Sequence, residues 1–153
     1  MRYWLMKSEP SECSVDDAAA APQATVPWVG VRNFQARNFM KKEMAVGDGV
    51  LFYHSSCPEP GIVGIAEVAS APSVDATQFD PKSDYFDAAS PGDAPRWSLV
   101  DVKYKRKLKR VIGLTELKGR AAQLGDFALL RPGNRLSVLP VTSAQWEFIL
   151  SLE

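Results

Sequence analysis

A period of two runs through the middle of this 153-residue sequence and constrains the fold more than any other pattern. Between residues 100 and 109, apolar side chains share one parity and lysines share the other. The apolar members are Val100, Val102, Tyr104 and Leu108, and the basic members are Lys103, Lys105, Lys107 and Lys109. Because successive side chains of a strand point to opposite faces, the pattern predicts a strand from Trp97 to Arg110 with one buried face.

Further strands are predicted by short apolar runs that turn-forming residues bound. These strands are Tyr3–Met6, Val50–His54, Ile62–Val68 and Arg135–Pro140. The turn-rich residues 57–61 make the second and third of them an antiparallel hairpin.

Helices are predicted where capping residues precede helical stretches. Ser14 and Thr142 each begin a capping box, and Asn33 is the predicted N-cap of a helix over residues 34–42. Short helices are also predicted at 114–118 and within 121–130. The order of elements predicts an α+β fold, a curled sheet or small barrel flanked by short helices, as one domain over residues 1–153.

Charge and cysteine content limit the partners and the compartment. Lys plus Arg is 18 and Asp plus Glu is 18, so a nucleic-acid partner would need a local basic patch. Two cysteines make no disulfide framework, and no apolar run has the length of a signal peptide or a membrane span. We therefore expect a soluble intracellular protein without a membrane partner, cytoplasmic or, in a eukaryote, nuclear.

Catalytic and metal-binding residues are few. His54 is the one histidine, so a Ser–His or Cys–His nucleophile would depend on it. A closed zinc site needs about four ligands, whereas Cys13, His54 and Cys57 supply three. The sequence has neither a G-x-G-x-x-G nor a Walker motif. We expect no cofactor, no metal and no catalytic group.

The densest charge lies in residues 103–110, KYKRKLKR. The favoured interpretation is the solvated outer face of an edge strand, where lysines also oppose aggregation. The alternative is a stripe that tracks phosphates.

A second unusual stretch, WVGVRNFQARNF at residues 28–39, contains Arg-Asn-Phe twice. Residues five apart on a helix are separated by about 140°, so the two copies cannot share a face. Trp28, Tyr53 and Trp97 each fall at an element boundary beside polar residues. Most aromatic side chains belong to the core, but together these three suit a cage that stacks on a flat base, with Asn33, Ser55 or a backbone group reading its edge.

Several segments, taken together and in order from Tyr3 to Trp146, resemble the EVE domain family. They read YWLMKSEP, WVGVRNFQARNFM, VGDGVLFYHSS, PGIVGIAEV, TQFDP, PRWSLVDV and LLRPGNRLSVLPVT. The resemblance implies a PUA-like fold, a small mixed β-barrel with flanking helices, similar to YTH readers of methylated adenine. One departure is Gly49, where a larger apolar residue is expected, and its small size predicts a looser start to that strand.

The resemblance also implies a non-enzymatic module that binds a modified nucleobase in an aromatic-walled pocket, modified cytosine in DNA or modified RNA. By this analogy Trp28 is the cage residue. The other pocket candidates are Ser8, Asn33, Tyr53, Ser55 and Trp97. The rim and phosphate candidates are Lys7, Arg32, Arg37, Arg131 and Ser137.

Two other functions remain as alternatives. A small hydrolase or nuclease acting on nucleotides would place His54 in a cleft beside an acid or Ser55. A protein-interaction module would use the Pro-, Asp- and Ser-rich loop with Phe79 to Pro95, and would expose an apolar patch there.

Overall fold

Eight strands form two sheets in the computed structural model, which describes residues 1–153. Their bounds are β1 Tyr3–Ser8, β2 Thr25–Pro27, β3 Gly49–His54, β4 Gly61–Val68, β5 Ser73–Val74, β6 Ser98–Leu99, β7 Asp101–Gly113 and β8 Val138–Val141. The main sheet has the order β2-β7-β4-β3-β1-β8, and β5 pairs with β6 separately. Only β1 and β3 run parallel among neighbours, so the sheet is mixed.

Five short helices flank the sheet. They are α1 Val15–Ala20, α2 Phe34–Asn38, α3 Leu114–Gly119, α4 Ala121–Leu124 and α5 Ser143–Ser151. A π-helical turn, Phe39–Glu43, continues α2, and single 3-10 turns occur at Pro22–Ala24, Ala76–Phe79 and Ala128–Leu130. None of these helices combines the length and the apolar character that crossing a membrane requires. The prediction of an α+β fold with a curled sheet and short flanking helices is confirmed.

The three predicted helix caps are present. Ser14 Oγ accepts a hydrogen bond from the N–H of Asp17, whose carboxylate accepts one from the N–H of Ser14. Thr142 and Gln145 form the same reciprocal pair at the start of α5. The side chain of Asn33 accepts from the N–H of Ala36. Each cap gives a partner to a backbone N–H that the helix itself leaves free.

Both faces of the main sheet are covered. Trp4, Met6 and Phe52 lie on one face with α1 and α2, whereas Leu5 and Leu51 lie on the other face with α3, α4 and α5. Adjacent residues of β1 and β3 therefore alternate between two cores, which explains why these strands read as unbroken apolar runs. Each fully buried large apolar side chain contributes roughly 1.5–3 kcal/mol.

The predicted strand from Trp97 to Arg110 is wrong at its ends. Residues 98–99 pair with β5, and the chain then joins the main sheet as β7, which continues to Gly113. The N–H of Asp101 donates to Ser70 Oγ at 2.8 Å, and this bond marks the change of partner. The predicted strand at residues 135–140 likewise begins later, at Val138.

The expected looser start of β3 at Gly49 is also wrong. Gly49 is buried and paired with Tyr3. A Cβ atom here would lie 2.8 Å from the Tyr3 ring and 2.9 Å from the Trp146 ring. Glycine therefore allows these two aromatic rings, whose centroids are 4.5 Å apart, to pack across the strand.

The lysines of β7 are exposed, as the period of two predicts. Acidic residues of neighbouring elements neutralise most cations of the run 103–110. The ion pairs are Lys105–Glu67 at 3.6 Å, Arg106–Glu153 at 2.6 Å, Lys107–Asp16 at 3.0 Å and Arg110–Glu116 at 2.7 Å. This pairing favours a solvated outer face over a phosphate-tracking stripe.

Candidate functional site

A cleft of about 510 Å³ opens where β1 and β3 end. Because these strands are parallel and Ser8 pairs with His54, the residues that follow each strand lie at the same edge of the sheet. The N–H of Ser55 donates to the carbonyl of Ser8 at 3.0 Å. Ser8 and Ser55 thus line the cleft together, with Ser137 beside them.

Trp28 also forms part of the cleft wall. Its N–H donates to the carbonyl of Val100 at 2.9 Å, and its ring meets Phe52 edge to face at 5.2 Å. Only 6% of the residue is exposed, so the sheet holds the indole firmly and leaves a small part at the cleft.

Tyr85 is the second aromatic residue of the cleft and comes from the long loop before β6. Its ring lies against Gly30, where a Cβ atom would be 2.5 Å from the ring. Gly30 also has a φ of +85°, which glycine adopts without strain. The Tyr85 hydroxyl donates to the carboxylate of Glu12, across the cleft mouth. Burial and then this bond to a carboxylate raise the pKa of Tyr85, so it stays protonated.

Arg32 and Asp75 hold the long loop that carries Tyr85 in place. Arg32 donates to Asp75 at 3.1 Å and twice to the carbonyl of Tyr85, at 3.0 and 2.8 Å. The buried carboxylate of Asp75 also accepts from the N–H of Gly30 at 2.9 Å. Burial alone would raise the pKa of Asp75, but the hydrogen bonds from Thr77, Gly30 and Arg32 outweigh it and lower the pKa below its usual value.

The charged groups of the cleft are of both signs. Lys7 is half-buried without an ion-pair partner, and burial lowers its pKa. Arg135 is exposed and likewise makes no ion pair. Glu9 and Glu12 lie at the mouth, and Glu12 is engaged by Tyr85. The cleft therefore offers hydrogen-bond donors and acceptors together.

Five of the eleven predicted site residues line this cleft: Lys7, Ser8, Trp28, Ser55 and Ser137. Two predicted residues lie behind it. Tyr53 is in the core under the Lys7 side chain, whose Nζ is 5.9 Å from the ring centroid. Arg32 acts on the Tyr85 loop as described.

The other four lie away from the cleft. Trp97 is 5% exposed and donates to Asp87 at 2.7 Å. Arg37 of α2 donates to the carbonyl of Arg96 at 2.7 Å. Trp97 and Arg37 therefore fix the long loop against α2.

The remaining two predicted residues, Asn33 and Arg131, line a second cleft. Asn33 caps α2, and Arg131 pairs with Asp126 at 2.9 Å.

Four further charged or aromatic residues line the cleft without having been predicted from the sequence: Glu9, Glu12, Tyr85 and Arg135. The only available signal was that aromatic residues embedded in the Pro- and Asp-rich loop favour a packed loop. Nothing in the local sequence shows which wall such a loop packs against.

His54 does not line the cleft. Its Nε2 accepts a hydrogen bond from the N–H of Val15 at 3.0 Å, and burial lowers its pKa. The nitrogen that a Ser–His pair would use as a base is therefore occupied by the backbone. No group of three or more His, Cys, Asp or Glu side chains is placed to hold a metal ion.

The loop considered as a protein-contact surface exposes Phe79 at 39% and Phe86 at 42%. The same loop is tied internally by Gln78, which donates to the carbonyls of Asp75 and Trp97 at 2.7 and 2.9 Å. These hydrogen bonds order the loop, which contributes Tyr85 to the cleft wall.

Comparison with known proteins gives relatives over the whole chain. Thymocyte nuclear protein 1 of Danio rerio is 45% identical over 98% of this chain and 71% of its own length. The crystal structure of human THYN1 protein in complex with 5-methylcytosine-containing DNA has 39% identity and a TM-score of 0.95, covering 99% of this chain and 97% of the other.

The MmI1 YTH domain shares the fold alone, at 14% identity and a TM-score of 0.52 over 99% of this chain and 94% of the other. The sequence profile of the EVE domain matches residues 2–152. The profile match and the identity to thymocyte nuclear protein 1 show that this chain belongs to the EVE domain family.

Proposed function

We propose that this protein binds a modified cytosine of DNA, without chemical turnover, by accepting the base from the stack into the cleft beside Trp28. The observation that carries the proposal is this cleft, in a fold that matches human THYN1 protein bound to 5-methylcytosine-containing DNA with a TM-score of 0.95. Proteins that hold an extruded base combine a stacking wall with hydrogen bonds to its Watson–Crick edge.

The size and lining of the cleft suit one nucleobase. Small-ligand pockets have volumes of about 300–1,000 Å³, and this cleft has about 510 Å³. Trp28 and Tyr85 supply aromatic surface, and Ser8 and Ser55 supply polar groups at the end of the sheet. Stacking on an aromatic side chain contributes roughly 1–3 kcal/mol per base.

The polar groups match cytosine better than thymine, although 5-methylcytosine and thymine carry the same methyl group. Cytosine presents an amino donor beside ring acceptors, whereas thymine presents a carbonyl at the amino position. The Glu9 carboxylate can only accept a hydrogen bond, and the Lys7 ammonium can only donate. The amino group of cytosine can donate to Glu9 at the mouth of the cleft, whereas thymine has no donor at that position.

The first test is binding of fluorescently labelled oligonucleotides that carry one cytosine, 5-methylcytosine or thymine, as DNA and as RNA. We expect the 5-methylcytosine DNA to bind most tightly. Trp28→Ala should weaken that binding about tenfold or more, whereas Trp28→Phe, which keeps an aromatic ring, should retain most of it. Trp146→Phe, on the far core, is the matched control.

Folding of each variant is checked by circular dichroism, because truncating a buried Trp costs about 3–5 kcal/mol. Equal affinity for all three bases would contradict the proposal. A folded Trp28→Ala variant with unchanged binding would also contradict it, and tighter binding of the RNA series would redirect it to RNA.

A further inference from the structure

A second cleft of about 370 Å³ adjoins the first. Asn33 and Gln35 line one side, and residues 131–136 line the other. Arg135 belongs to the walls of both clefts, so the two form neighbouring parts of one surface.

The charge of the second cleft is positive at the junction. None of its lining residues is acidic. Arg131 is paired with Asp126 through two bonds of 2.9 and 3.0 Å, so part of its charge is offset. Arg135 has no ion-pair partner and is exposed, which leaves one available guanidinium where the clefts meet.

The segment that carries Arg135 is held by its own hydrogen bonds. Asn134 donates to the carbonyl of Ala128 at 2.5 Å and accepts from the N–H of Leu136 at 2.9 Å. The N–H of Lys7 then donates to the carbonyl of Ser137 at 2.8 Å, which fastens the segment to β1. A segment that is already ordered costs little entropy when it binds a ligand.

An extruded nucleotide stays attached to its strand, so the backbone must leave the first cleft at its mouth. Glu9 and Glu12 lie at this mouth and repel phosphate, whereas Arg135 attracts it. Building on the proposed function, we propose that the second cleft holds the phosphodiester backbone next to the extruded nucleotide, with Arg135 contacting a phosphate at the junction. Gln35 and Asn33 then face the sugar–phosphate chain rather than a base.

The test measures affinity for the 5-methylcytosine DNA as a function of salt. The logarithm of the association constant falls as the logarithm of the salt concentration rises. Loss of one phosphate contact makes this slope less negative by roughly 0.7–0.9. We expect Arg135→Gln to show this change and to weaken binding about five- to tenfold at 0.1 M salt, equally for cytosine and 5-methylcytosine. Arg120→Gln, an exposed arginine outside both clefts, should leave the slope unchanged.

A second variant probes the cleft itself. Gln35→Glu places a negative charge in its wall, so binding should weaken several-fold at low salt and recover as salt rises. Gln123→Glu, an exposed residue of α4, is the matched control. Gln35→Glu, which lies outside the first cleft, should not change the affinity for the free nucleoside 5-methyl-2′-deoxycytidine, which has no phosphate.

The outcomes separate the two proposals. Selective binding of 5-methylcytosine DNA by the native protein, with slope and affinity unchanged in both variants, would overturn the second-cleft proposal alone. If the native protein binds no modified cytosine in DNA or as the nucleoside, both proposals are overturned.

Discussion

At the scale of single residues, His54 shows how a backbone contact decides the role of a reactive side chain. Its Nε2 accepts from the N–H of Val15, the first residue of α1. Accepting this bond requires the neutral ring, and burial also favours the neutral form, although the charges of Asp16 and Asp17 partly oppose it. His54 therefore joins β3 to α1.

We expect His54→Ala to lower the free energy of unfolding by about 1–2 kcal/mol at pH 7.5, because the N–H of Val15 loses its partner. The folded pKa lies below the unfolded value of about 6.5. The stabilisation is thus complete above pH 6.5 and decreases as the pH falls through this value toward the folded pKa. Urea denaturation at pH 7.5 and 5.5 should show a smaller difference between variant and native protein at the lower pH.

A constant difference between those pH values would contradict this account of His54. Binding of the modified oligonucleotide should change little in the folded variant, since His54 does not line the cleft. A large loss of binding without loss of structure would instead place His54 in the site.

At the scale of elements, Glu153, which follows α5, connects this helix to the outer face of β7. The Glu153 carboxylate accepts from Arg106 at 3.1 and 2.6 Å and from the N–H of Lys109 at 3.1 Å. The bond from Arg106 is the main cause that lowers the pKa of Glu153 to about 2. This clamp also neutralises part of the basic run.

Glu153→Gln should lower the free energy of unfolding by about 1 kcal/mol at pH 7, because the Arg106 partner is half exposed and screened by solvent. The native stabilisation is present above the ordinary glutamate pKa and is lost as the pH falls toward about 2. Thermal or urea unfolding at pH 7 and pH 3 measures the difference, which should shrink at pH 3. An undiminished difference at pH 3 would show that the carboxylate charge contributes little.

At the scale of the whole molecule, Asp75 connects the long loop to the segment that carries Trp28. The fully buried carboxylate accepts from Gly30, Arg32 and Thr77, and thereby ties the long loop to the segment that carries Trp28. A buried charge with these partners is costly to disturb, because its removal leaves Arg32 without its ion pair.

We expect Asp75→Asn to lower the free energy of unfolding by about 3 kcal/mol and to weaken oligonucleotide binding, since Tyr85 is no longer held over Gly30. Asp80→Asn, an exposed residue of the same loop, is the control and should change neither. Chemical denaturation and the oligonucleotide assay give the two readouts. Normal binding by a folded Asp75→Asn variant would show that the loop position does not depend on this carboxylate.

Much of the secondary structure is local and could be predicted from the sequence. Capping boxes at Ser14 and Thr142 form between residues three apart in sequence, so a short stretch of sequence is enough to predict them. The apolar runs at Tyr3 and Val50 likewise identify buried strands. The ends of β7 and β8 were not predictable, because the bounds of a strand depend on which distant strand pairs with it.

The candidate site likewise has features that the sequence predicts and features that depend on tertiary contacts. By itself, the sequence determined the strands whose ends bring Ser8 and Ser55 together, and it marked Trp28 as a boundary aromatic. Only the tertiary structure decided that Tyr85 packs on Gly30 and lines the same cleft, that Trp97 and Arg37 support the loop, and that Arg135 lies in the walls of both clefts. Hydrogen bonds between residues close in sequence are readable from local pattern, whereas Asp75 and Gly30 meet across 45 positions of chain and only folding makes them neighbours.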